Sequence, residues 1–331
     1  MHKPKVSVVI TTHNRSALLK KAVESVLTQT YGNYDIHIVD DCSSDETPKV
    51  VESLLAGKDN KYYWRHKKRR GLAAARNTGI ARSSGEYIAF LDDDDEWKPE
   101  SLSRRIEVLS ELYEQERERL GVIYCGCEIH IVSESRVCFN MPKIEGNIRD
   151  NLLRRNLSTI PSSCVFSRAA LERIGGFDER LCSCIDHDIW MKMADMNYQT
   201  IALSEPLVIV HEDNRPTMMG DVDNRIKAFM LFYNKWEKRV YEWYGEKRGR
   251  SFWKKYLSSK MLANTILLVQ RNNIKGAWKM FCATVPYISW QNTGKIFLLL
   301  AYLILPNTII AVLRIWKKKW KFLLLNRTGR S

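Results

Sequence analysis

Phe90-Leu91-Asp92-Asp93-Asp94-Asp95 sets four carboxylates in a row at the end of the apolar run Tyr87-Ile88-Ala89-Phe90-Leu91. The run is short, apolar and introduced by Gly85, which is the pattern of a buried strand. Adjacent carboxylates repel one another, so four at a strand end lower stability unless something neutralises them. A hard cation such as Mg2+ or Mn2+ prefers oxygen ligands and commonly holds phosphates, which makes a metal–nucleotide site the first hypothesis. The bland alternative is a solvated acidic turn before the helix that starts near Pro99; it accounts for a pair of carboxylates better than for four in a row.

The chain upstream repeats the pattern. Val6-Ser7-Val8-Val9-Ile10 is a β-branched run that reads as a first buried strand, and it ends in the polar loop Thr11-Thr12-His13-Asn14-Arg15. A helix follows with Ser16 as its N-cap and Leu18, Leu19, Ala22, Val23, Val26 and Leu27 at helical spacing. Tyr34–Val39 is a second strand ending in Asp40-Asp41-Cys42, and Thr47–Leu55 a second helix. Tyr62-Tyr63-Trp64 is a third strand, and Arg70–Gly79 a glycine-opened, alanine-rich helix. Alternating β and α with buried strands predicts a parallel-sheet α/β domain. In open parallel sheets ligands sit beyond the C-terminal ends of the strands. Three such ends carry Thr11, Asp40/Asp41 and Asp92–Asp95, a convergence that solvation alone does not explain. No G-x-G-x-x-G follows the first strand and no G-x-x-x-x-G-K-[ST] occurs, which disfavours a Rossmann dehydrogenase and a P-loop NTPase.

Further on, residues 100–120 read as one charged helix and Val122–Val132 as a strand pair or a long strand. Pro161–Ser167 leads into a helix from Arg168, and Gly175-Gly176-Phe177-Asp178 is a turn. Asp186-His187-Asp188 opens another helix, where a carboxylate in the first turn is favoured by the helix dipole. Leu207–Val210 is a strand ending in His211. Of the eight cysteines, Cys125-Gly-Cys127 and Cys182-Ser-Cys184 have one intervening residue where zinc sites usually have at least two, so they read as packed thiols. Met-His-Lys-Pro-Lys runs straight into the first strand without a signal-peptide pattern, and a cytosolic, reducing setting is expected.

Val6–Arg15, Ile38–Ser44, Gly71–Gly79, Tyr87–Trp97, Gly175–Asp178, Asp186–Trp190 and His211, in that order, resemble an inverting family 2 glycosyltransferase of the GT-A fold. The matching stretches span roughly two-thirds of the chain. The resemblance implies a GT-A, mostly parallel central sheet flanked by helices, a nucleotide-sugar donor (usually a UDP-sugar) and Mg2+ or Mn2+. It places Thr11 at the nucleoside, Asp41 at the uracil, Arg76 near the base or phosphates, and Asp92-Asp93-Asp94 as the D-x-D motif. In that motif Asp94 is the direct metal ligand and Asp93 lies near the ribose. Asp186 matches the catalytic base, and His211 an additional metal or diphosphate contact. Two positions depart from the family: Ile185 stands where an acidic residue often precedes the base, and His13 where an aromatic is common.

The charge is uneven. Net charge is +14, yet Lys247–Ser331 contains no Asp or Glu against 17 Lys and Arg, and 14 less 17 leaves residues 1–246 at −3. A catalytic domain over 1–222 and a helical, basic C-terminal region over 223–331 are expected. Ile296–Leu305 is uninterrupted apolar sequence, Pro306-Asn307-Thr308 breaks it, and Trp316-Lys317-Lys318-Lys319-Trp320-Lys321 follows Ile309–Leu313 and Arg314. A span needs ~20 apolar residues, so the segment 296–321 reads as an in-plane or shallow helical hairpin on anionic lipid at the cytoplasmic membrane face. The alternatives are an amphipathic helix packed on the catalytic domain, and a true span.

Together these readings predict a metal-dependent glycosyltransferase, peripheral or monotopic at the inner face of the cell membrane. Its expected acceptor is a glycan or lipid-linked glycan in surface polysaccharide or glycolipid assembly. Two other classes compete. A GT-A-like nucleotidyltransferase would want a glycine-rich basic loop after strand one, and Thr11–Arg15 has no glycine. A basic nucleic-acid-binding protein would use the tail, but the tail adjoins an apolar run rather than a nucleic-acid fold, so no nucleic-acid partner is expected.

Overall fold

The β-branched runs become strands whose two faces the rest of the domain covers. The computed structural model describes residues 3–57, 59–132, 135–153, 160–212 and 221–288. Strand β1 (Val6–Thr12), helix α1 (Ser16–Leu27), β2 (Tyr34–Asp40), α2 (Thr47–Leu55), β3 (Lys61–Arg65), α3 (Leu72–Arg82) and β4 (Tyr87–Asp92) alternate as expected, and β3-β2-β1-β4 are parallel throughout. Val6, Val8, Val9, Ile10, Ile36 and Ile38 are fully buried; each contributes on the order of 1.5–3 kcal/mol from apolar burial. Register places the strand ends side by side, with Thr11 opposite Asp92 and Thr12 opposite Asp40. Helix α3 lies close on β1: a Cβ built on Gly79 would run into the Val9 methyls.

The second half of the sheet is mixed. Beyond β5 (Asp95–Trp97) come α4 (Ser101–Glu107), a 3-10 turn at Val108–Glu111 and α5 (Glu114–Arg119). They are followed by β6 (Leu120–Ile131), β7 (Arg136–Asn140), β8 (Gly146–Asn147), α6 (Ile148–Leu152), β9 (Cys164–Ser167), α7 (Arg168–Arg173), α8 (Ile185–Asp195) and β10 (Gln199–Glu212). Strand β9 joins β4 to β6 with antiparallel pairing on both sides; β6 and β10 are parallel, and β5 lies antiparallel on β10.

Three local readings change. The single charged helix over 100–120 is broken, because Leu112 is extended and Glu116 accepts the Tyr113 N–H at 2.9 Å to begin a new helix. Arg15, not Ser16, is the N-cap of α1; the Ser16 amide instead donates to Asp45 at 3.2 Å, a carboxylate brought from the loop after β2. The acidic run is not one turn beyond a strand, since Asp92 closes β4 and Asp95 opens β5.

The chain divides into two compact units, Met1–Gly220 with Ala228–Trp236, and the remainder. In the second unit lie the flanks of α9 (Val222–Tyr244) together with α10 (Glu246–Gln270) and α11 (Ile274–Thr284). Leu262 and Phe281 form a small core there with Ile266 and Val269, and Asn273 caps α11 by accepting the Gly276 N–H at 2.9 Å. Among the described residues no helix is long and apolar enough to cross a membrane. The segment 296–321 lies outside the described residues.

Candidate active site

The β4–β5 turn is built from carboxylates that the fold has already engaged. Asp93 is buried; Thr12 Oγ1 donates to its Oδ2 at 2.7 Å and Arg15 Nη1 to its Oδ1 at 3.0 Å. Burial pushes the Asp93 carboxyl up to about 6, with Thr12 and Arg15 opposing and Asp94 reinforcing. Arg15 Nη1 also donates to Asp94 Oδ2 at 2.9 Å. Asp95 accepts the Ser162 hydroxyl at 2.5 Å and is pushed well above the usual carboxylate range by burial and then by Asp92.

A second assembly joins the strand end to α8. Arg76, carried by α3, is only 1% exposed, and it donates from Nη2 to Asp92 at 2.7 Å and from Nη1 to Asp186 at 2.5 Å. Its guanidinium lies against the rings of Phe90 and Phe177, 5.7 and 5.3 Å from their centroids. Asp186 keeps 34% of its side chain exposed. Desolvation in these surroundings raises its pKa; Arg76 pulls it down and Asp92 pushes it up again. Asp188, on the same helix, is wholly buried and accepts from Trp236 Nε1 at 2.8 Å and Lys235 Nζ at 2.9 Å.

The residues at the ends of β1 and β2 are equally tied. Asp41 accepts the Arg70 and Gly71 amides at 2.8 and 2.7 Å and faces His66 Nδ1 at 2.8 Å. Burial alone would raise its pKa, but the two amides and His66 outweigh burial and hold it below the usual value. Thr11 is buried beside Asp92. On β10, His211 Nε2 meets Glu96 Oε1 at 2.7 Å, and Asp94, Asp95, Glu96, His211 and Leu18 line a cavity of about 230 Å³.

Thr11, Asp92, Asp93, Asp94 and Asp186 are thus gathered around the end of β4, and His211 lines the same cavity as Asp94. Arg76 is engaged within the chain: its terminal nitrogens hold Asp186 and the strand-end Asp92. Sequence reasoning missed Arg15, Lys235, Trp236 and Ser162. Arg15 had a signal, as the only cation in the loop after β1; Lys235 and Trp236 had none beyond the apolar spacing of α9. Cys125, Cys127 and Cys164 are buried, and burial pushes all three thiols up, Cys164 to about 12.

Four carboxylates (Asp92, Asp93, Asp94 and Asp186) share two guanidiniums here, while Asp95 accepts from the Ser162 hydroxyl. Among the described residues no three His, Cys, Asp or Glu side chains form a ready-made cation cage. Mg2+ is commonly held by one or two carboxylates, its other positions going to phosphate oxygens and water. The surplus of hard, negative oxygens around Asp94 fits such an ion.

A sheet of this topology with acidic strand ends facing a cavity has the GT-A arrangement. The chain belongs to glycosyl transferase family 2, whose family model matches residues 7–175. One relative is the GalNAc(5)-diNAcBac-PP-undecaprenol beta-1,3-glucosyltransferase of Campylobacter jejuni, 39% identical over 111 residues, covering 33% of this chain and 36% of the relative. Among solved structures, S. aureus TarS in complex with UDP superposes with a TM-score of 0.60 at 17% identity, over 91% of this chain and 88% of that one. The mannosyltransferase PcManGT from Pyrobaculum calidifontis, in complex with GDP-Man and Mn2+, gives 0.56 at 20% identity, over 98% and 86%. The chain spans between 33% and 59% of the length of the first curated relatives it matches.

Proposed function

We propose that this glycosyltransferase moves a sugar from a nucleotide-sugar, a UDP-sugar first among the choices, to a hydroxyl of a glycan or lipid-linked glycan, with inversion. The observation that carries this reading is the Asp92–Arg76–Asp186 assembly: a half-open carboxylate from 110 residues downstream of Arg76 is fixed to the same guanidinium as the D-x-D strand end. Asp186 takes the acceptor proton as the acceptor oxygen bonds to the anomeric carbon and the bond to the diphosphate oxygen breaks. Its raised pKa makes it a stronger base than an ordinary aspartate, and positioned proton transfer of this kind is worth ~10²–10⁴-fold. Asp41, pinned by two amides, and Thr11 are assigned to the nucleoside, and Asp93 to the ribose. Asp94 is assigned as the ligand of Mg2+ or Mn2+, with His211 as a further contact. When bound, that cation neutralises the departing diphosphate as a Lewis acid. The Mn2+ in PcManGT supports the metal, and the undecaprenol-linked substrate in the Campylobacter relative's name supports a lipid-linked acceptor.

We assign catalysis to residues 1–222 and membrane-face attachment to the basic region 223–331, through the segment 296–321. The experiment that tests the reading is thermal stability with UDP, GDP and CDP, each with and without Mn2+, because a ligand of the folded state raises the midpoint by mass action. A Mn2+-dependent rise with UDP alone is expected, and Asp94→Ala should abolish its metal dependence. No rise with any nucleotide would remove the donor reading.

A further inference from the structure

Arg15 stands at the head of α1, where the chain leaves β1. A single terminal nitrogen, Nη1, lies 3.0 Å from Asp93 Oδ1 and 2.9 Å from Asp94 Oδ2. One donor therefore bridges two carboxylates, which is the place a small cation shared between them would take. The three side chains are not equally fixed. Asp93 is buried and its other oxygen is held by Thr12. Arg15 and Asp94 each keep 32% of the side chain exposed, so this contact can be exchanged at little cost in packing. The guanidinium is a permanent cation, so proton loss does not release it. Its planar fork suits a phosphate as well as a carboxylate.

We propose that Arg15 is a built-in counter-cation of the acidic turn, which yields Asp94 to a divalent cation only when a diphosphate arrives to receive the guanidinium. The proposal rests on the donor reading given above. Two cations at one carboxylate repel each other, so a divalent cation alone meets competition at Asp94. A diphosphate that accepts Arg15 removes that competition and adds its own oxygens. Metal and nucleotide then bind with positive coupling, and such coupling is reciprocal. No covalent bond changes; ion partners are exchanged. Arg15 also keeps Asp93 and Asp94 from repelling one another while the site is empty of donor.

Mn2+ binding, followed by the electron paramagnetic resonance of free Mn2+, tests this in the full chain with and without UDP. Arg15→Gln is expected to bind Mn2+ alone ~10-fold more tightly than the wild type, with the UDP–Mn2+ coupling collapsing towards unity. Arg15→Lys keeps the charge and should stay near the wild type. Arg15→Met repeats the measurement if the amide disturbs the loop. Without metal, Arg15→Gln should melt below the wild type and gain more from Mn2+. Equal Mn2+ affinity in the wild type and the uncharged variants overturns the counter-cation. Mn2+-dependent UDP binding in both would then leave the donor reading standing, whereas no UDP binding in either fells that reading as well.

Discussion

Asp186 and Asp188 lie in the same first turn of α8, and their surroundings are opposite. Residues two apart on a helix do not share a face. Asp186 looks towards Arg76 and keeps a third of its side chain open, while Asp188 looks inward, is wholly buried and meets Trp236 and Lys235. The open carboxylate has a raised pKa and keeps part of its side chain accessible. The closed one accepts from Lys235 and Trp236 of α9 and has Lys192 of its own helix 3.7 Å away. One turn of helix thus carries an open carboxylate held by Arg76 and a closed one that ties α8 to α9.

The sharpest division between them is functional. Asp186→Asn should lower kcat by ~10²–10⁴-fold, with UDP binding and melting point close to the wild type. Near-normal turnover would remove Asp186 as the base. Asp188→Ala should act on the other axis and cost about 1–3 kcal/mol in chemical denaturation, because it takes the acceptor from the buried Trp236 Nε1 and one of two carboxylates from Lys235, which keeps Asp178 at 2.8 Å. Equal stability losses for the two aspartate variants would erase the distinction. The pH profile offers a finer probe. The Arg76 cation favours ionised Asp186, so Arg76→Lys, which loses one of the two paired contacts, should raise the Asp186 pKa and move the acid limb of kcat/KM to higher pH. An acid limb that stays put would mean that Asp186 does not titrate beside Arg76. The smallest effect belongs to a carboxylate with no catalytic neighbour. Asp35 on β2 is desolvated, yet His37, Lys5 and Ser7 more than offset burial and hold it at about 2. A lowered folded-state pKa gives stability that is present above the unfolded value near 4 and lost as pH falls towards 2. Asp35→Asn should therefore cost about 1–2 kcal/mol at neutral pH and flatten the acid limb of the stability curve between pH 4 and 2. A curve of unchanged shape would contradict that account.

Local chemistry wrote the first half of the fold plainly. Val6–Ile10, Tyr34–Val39 and Tyr87–Leu91 are β-branched or apolar runs with turn residues between, and each became a parallel strand that delivers Thr11, Asp41 and Asp92 to one edge. The second half was less legible because its order depends on distant pairing. Nothing in Cys164–Ser167 says that it will slot between β4 and β6, and Asp95-Glu96-Trp97 gives no sign of a strand until β10 is there to pair with it. The carboxylates could be read in the sequence, but their partners could not. Arg76 meets Asp186 across 110 residues, and Lys235 and Trp236 lie on a helix whose periodicity reports burial without saying against what. Charge type is visible in a sequence; charge pairing is a property of the packed chain.

Gly79 gives α3 its seat on β1, and Arg76 lies one turn earlier on the same helix. The thickness of that helix–strand contact therefore sets the height of the guanidinium above the strand ends. A methyl group at Gly79 would lift the helix and with it the grip on Asp92 and Asp186. A mutational survey scored on turnover alone would place Gly79 among the catalytic residues, although it offers no reacting atom. Scored on folding as well, the same survey would return it to the frame, as the spacer that calibrates the reach of an arginine.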